Sequence, residues 1–130
     1  MFEREQPMSL EGYLARQREL NEQYLYGTPA DALKSLEALA KLEEDYARRG
    51  ERPIDSNHAR MLAYSRLFVM SEKFLHKPEA DMYLELAIHF AVLWRPEISA
   101  LPAERKVDFV RNYVDNFEMG LEVRWKKELK

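Results

Sequence analysis

Residues 59–94 read ARMLAYSRLFVMSEKFLHKPEADMYLELAIHFAVLW, and the fold depends on how this stretch divides. Pro78 interrupts any continuous helix, so the stretch predicts two helices with a tight connection, the second opened by Pro78 with Glu79 and Asp81 in its first turn. Between Met82 and Trp94 only Glu85 and His89 are strongly polar. A helix of that sequence is apolar nearly all round and requires neighbours on several sides. The rest of the chain is expected to supply that cover.

Towards the N terminus, Ser9 can cap a first helix that runs to Tyr26. Its Leu10, Tyr13, Leu14, Leu20, Tyr24 and Leu25 fall mostly at three- and four-residue steps, with Arg16, Arg18, Glu19 and Glu22 on the other side. Gly27 is expected to end it in the left-handed conformation. Thr28, Pro29, Ala30 and Asp31 then give a start signal: a capping hydroxyl, a proline at the first helical position and a carboxylate in the first turn. The helix they open carries Ala32, Leu33, Leu36, Leu39, Ala40, Leu42 and Tyr46 on one face and stops at Gly50 after Arg48 and Arg49. A two-residue connection predicts that these helices form an antiparallel hairpin over residues 9–50.

Asp55 or Ser56 caps the third helix, which is expected to run to about Leu75 and to pair with the fourth in a second hairpin over residues 56–95. Arg95 and Pro96 end the fourth helix. Residues 97–101 fit either a turn or a short helical piece. From Pro102 the pattern Val107, Val110, Tyr113, Val114, Phe117 and Leu121 predicts an amphipathic closing helix over residues 102–128, bent near Gly120. No stretch alternates as a half-buried strand would. The predicted fold is all-α in a single domain: two antiparallel helical hairpins and a C-terminal capping helix, five helices in all.

The chain has 130 residues, enough to bury a core, with 46% hydrophobic and 33% charged residues, a globular balance. Net charge is -3, and Lys and Arg are interspersed with Asp and Glu, which disfavours nucleic acid or an anionic membrane as the main partner. The basic stretch Arg124, Lys126, Lys127 and Lys130 suits the negative end of a last helix. There is no cysteine, hence no disulfide, thiolate metal site or cysteine nucleophile. No segment reaches the roughly 18 apolar residues of a membrane span, and the first residues lack a signal-like apolar run, so a cytoplasmic location is expected.

The second hairpin carries Tyr64 and Leu67 on its first helix and Ala80, Leu84 and Ala87 on its second. In these residues it resembles a tetratricopeptide repeat, in which small residues let two helices approach and bulky ones fill the gaps. Phe68, Ser71 and Val92 depart from the family pattern. In the first hairpin Gly27 and Ala32 fit, while Arg16 and Glu19 stand at the aromatic and leucine positions. The likeness covers residues 9–94, and the same residues also suit a generic five-helix bundle. It implies a groove lined by the first helix of each hairpin, at Leu14, Gln17, Asn21 and Tyr24 and at Leu62, Ser65, Val69, Glu72 and Lys73.

Of the three histidines, His58 and His76 fall at helix boundaries, and His89 lies one turn after Glu85 on the apolar helix. Carboxylate-bridged metal bundles use Glu-x-x-His with a second copy, which this chain lacks, so no metal or cofactor is expected and His89 reads as a hydrogen-bonded core residue. Glu43, Glu44 and Asp45 are adjacent on a helix, point in different directions and read as a solvated face. The function expected is a non-catalytic interaction module for a protein or peptide. The alternative is a homodimeric bundle with a structural or regulatory role, joined through Phe109, Val123 and Trp125 of the last helix.

Overall fold

The computed structural model describes residues 7–52, 54–72 and 79–114. It is all-α: α1 (Leu10–Tyr26), α2 (Pro29–Arg49), α3 (Asn57–Met70), α4 (Ala80–Trp94), a 3₁₀ turn (Pro96–Ala100) and α5 over residues 103–114. The expected end of the third helix at Leu75, the opening of the fourth at Pro78, and the last helix beyond residue 114 with its bend at Gly120 lie outside the described residues, as do Val123 and Trp125. No helix among the described residues is long and apolar enough to cross a membrane.

The start signals act as the residue types require. Ser9 Oγ accepts from the Gly12 N–H at 3.0 Å, and Thr28 Oγ1 accepts from the Asp31 N–H at 3.2 Å. At α3 the work falls to Asp55, whose Oδ1 accepts from the Asn57 N–H at 3.0 Å, while Ser56 makes no side-chain cap. Gly27, expected in the left-handed form, and Gly50 both end their helices in extended backbone, at φ -83° and -63°. What each position needs is space. A Cβ at Gly27 would lie 2.5 Å from the Gln23 carbonyl oxygen, and one at Gly50 would lie 2.6 Å from the Tyr46 ring. The chain at Met8 is fastened to the end of α2 by two backbone bonds of 2.8 Å, Met8 N–H to Arg49 O and Glu51 N–H to Met8 O.

Each helix lies against its sequence neighbour, α1 on α2, α2 on α3 and α3 on α4. Contacts join opposite ends: Tyr13 near the start of α1 stacks on Tyr46 near the end of α2, and His58 at the start of α3 meets Trp94 at the end of α4. The described core falls into three clusters. Leu20, Tyr24, Leu36 and Leu39 meet Leu67 and Met70 in the first; Phe68 and Val69 meet Ala87, Val110 and Val114 in the second; Met61 meets Phe90, Ala91 and Ile98 in the third. Every cluster contains residues of α3, and Tyr64 packs against all of them.

This overturns one expectation. α4, the most apolar helix, is not wrapped on every side: Ala87, Phe90 and Ala91 are buried, while Met82 and Leu93 are 49% and 50% exposed. The central helix is α3, where Met61, Ala63, Ser65 and the run Leu67, Phe68, Val69, Met70 are buried. Among the described residues α4 packs against α3, α5 and the 3₁₀ turn, whereas α3 is packed by α1, α2, α4 and α5.

Candidate functional site

Three stripes of side chains at four-residue steps converge on a half-open trough. α1 contributes Gln17, Asn21 and Leu25; α2 contributes Leu39 and Glu43; α3 contributes His58, Leu62 and Arg66, with Ala59 and Ala63 beside them. Residues four apart share a helical face, so each stripe presents its members in a row. Together they line a cavity of about 350 Å³, within the range of small binding sites.

The floor is polar. Tyr13 Oη donates to Glu43 Oε2 at 2.6 Å, and Gln17 Nε2 donates to Glu43 Oε1 at 2.7 Å and to Tyr13 Oη at 3.0 Å. Burial pushes the Glu43 carboxyl above the usual carboxylate range, against the pull of the Tyr13 and Gln17 bonds. The Tyr13 hydroxyl is also pushed up, by burial first and then by its bond to Glu43. The adjacent-acids reading of Glu43, Glu44 and Asp45 as a solvated face thus fails at Glu43, which is 2% exposed. An isolated buried carboxyl inside an acidic run gives no sign of itself in the sequence.

The α3 wall is cationic and aromatic. Arg66 Nη1 donates to Asn21 Oδ1 at 3.3 Å, and its guanidinium lies 4.7 Å from the centre of the Tyr24 ring. Burial lowers its pKa to about 10. His58 Nε2 is hydrogen-bonded to the Tyr113 hydroxyl of α5, and its ring packs on Trp94 at 4.5 Å between centroids. Burial, with Arg95 and Arg66 nearby, holds His58 below the usual histidine range, which favours the neutral ring in its bond to Tyr113.

Of the residues expected in a groove, the structure brings Gln17, Asn21 and Leu62 into this trough. Leu14 is exposed on α1 outside the lining. Tyr24, Ser65 and Val69 are buried in the packing instead of facing a groove, because α3 is covered on three sides and Tyr24 turns into the first cluster. Ser65 Oγ is occupied with the Met61 sulfur at 3.4 Å. Glu72 lies elsewhere, gripped by Arg111 of α5 through two nitrogens at 2.8–3.1 Å. Lys73 is outside the described residues. His89, expected as a core residue, is exposed and edge-on to Phe90, and Glu85 is exposed as well. Phe109, offered as part of a shared dimer surface, is half-buried against the third cluster. Sequence reasoning missed Glu43, His58 and Arg66, because their convergence depends on how three helices are rotated against one another.

No known protein family, curated protein or solved structure matches the chain.

Proposed function

We propose that this protein is a non-catalytic helical interaction module that holds a segment of a partner protein or peptide in the trough between α1 and α3. The observation that supports it is the cavity itself, in which Gln17 and Asn21 stand across from Leu62, His58 and Arg66 over the floor at Glu43. The lining mixes apolar surface from Leu25, Leu39 and Leu62 with a small number of oriented polar groups, the combination that recognises a peptide by shape and by its hydrogen bonds.

Site-specific photo-crosslinking tests the reading. A photoreactive residue is placed at Leu25, which is exposed at the trough edge, and separately at Leu93, exposed on α4. Capture of one partner from native lysate through position 25, competed by the unlabelled protein, is the expected result. Capture through position 93 alone would move the partner to α4 and end the trough reading.

A further inference from the structure

Glu43 is a buried carboxylate without a cation. Among the described residues no Lys, Arg or His nitrogen forms an ion pair with it: Arg60, whose charge acts on it through space, turns to Glu44 at 3.7 Å and to Asn57 at 2.9 Å. A buried charge left in that condition is costly unless a partner of opposite sign arrives. Each Glu43 oxygen takes one strong donor, Oε2 from Tyr13 and Oε1 from Gln17. A carboxylate offers about four acceptor positions, so roughly half remain open, and the group lines the trough.

The α3 wall carries Arg66, whose guanidinium is held by Asn21 and lies over the Tyr24 ring. An occupant matched to the floor carries a cation towards Glu43 of α2. A lysine within a peptide supplies it, on a stem whose methylenes suit Leu25, Leu39 and Leu62. Arginine fits less well. Its planar fork binds a carboxylate through both oxygens side by side, and here Tyr13 and Gln17 already approach both, which leaves room for a point charge.

We infer that the segment held in the trough inserts a lysine side chain whose ammonium group occupies the open acceptor positions of Glu43. This rests on the trough being a peptide site, and it names the residue that site selects.

The test is a positional-scanning array of short peptides probed with the full chain, with Glu43→Gln and with Glu44→Gln. Glu44 is adjacent in sequence but outside the lining, so its variant controls for the loss of one charge. Captured peptides are then remade with norleucine in place of lysine. The expected result is that wild type and Glu44→Gln prefer lysine over norleucine at one position by at least about tenfold, as a charged hydrogen bond provides, and that Glu43→Gln loses the preference while still capturing peptide. Equal affinity for the lysine and norleucine peptides would overturn the lysine assignment and leave the trough reading standing. Capture of no peptide at all would overturn both. Should Glu43→Gln unfold at the assay temperature, the lysine-to-norleucine ratio on wild type decides alone.

Discussion

α3 and α4 lie against each other, yet composition and burial rank them in opposite orders. α4 has two strongly polar residues between Met82 and Trp94, and leaves Met82 and Leu93 half-exposed. α3 carries His58, Arg60, Ser65 and Arg66, and contributes to all three core clusters. Burial is set by how many elements pack on a helix. Apolar content only sets what burial is worth, about 1.5–3 kcal/mol for a large aliphatic or aromatic side chain. α3 tolerates its polar residues because each finds company: Arg60 with Asn57 and the Phe90 ring, Arg66 with Asn21 and the Tyr24 ring, Ser65 with Met61. α4 has fewer neighbours, and its surplus apolar surface stays at the periphery.

The largest effect that would sharpen this contrast is at Leu67, fully buried against α1 and α2. Leu67→Ala is expected to cost about 2–5 kcal/mol in chemical denaturation, the range for a cavity in a core that cannot close around it. A cost below about 1 kcal/mol would remove α3 from its central place.

A smaller effect is the pH dependence that α3 carries through His58. Its folded pKa lies below the unfolded value of 6.5, because burial disfavours the charged ring. Between those values the unfolded chain binds more protons than the folded one, so stability is complete above about pH 6.5 and declines as pH falls towards the folded value. His58→Gln is expected to remove that part of the acid sensitivity, seen as a flatter difference curve against wild type in melts from pH 7 to 5. An unchanged difference curve would mean that the ring is not held neutral in the fold.

The smallest effect is expected on the outer face of α4. Leu93→Gln should change stability by no more than about 0.5 kcal/mol, since half of the side chain is already in water. A loss comparable with that of Leu67→Ala would show α4 covered after all and break the comparison.

Much of this architecture was legible in the residues. Ser9 and Thr28 cap as their types suggest, Pro96 stops α4, and the four-residue steps in α1, α2 and α5 mark helices. The stretch at 97–101, which fitted a turn or a short helical piece, is a 3₁₀ turn that buries Ile98. What periodicity cannot give is the rotation of one helix against another. Gln17, Asn21 and Leu62 meet in the trough while Tyr24 and Val69, on neighbouring positions of the same helices, turn into the core. Glu43 illustrates the point within one turn of helix: Asp45 pairs outward with Lys41 and Arg48, Glu44 reaches across to Arg60 of α3, and Glu43 alone is fully buried.

Tyr64 has a consequence beyond packing. Because one ring touches every cluster, α1 and α2 share their interior with α4 and α5 through α3, with Tyr83 of α4 reaching the first cluster as well. Stacked repeats can fray one unit at a time from either end. A chain threaded through a common hub has no such partial states of low cost, so it is expected to melt as one cooperative block, with any segment in its trough released in the same step.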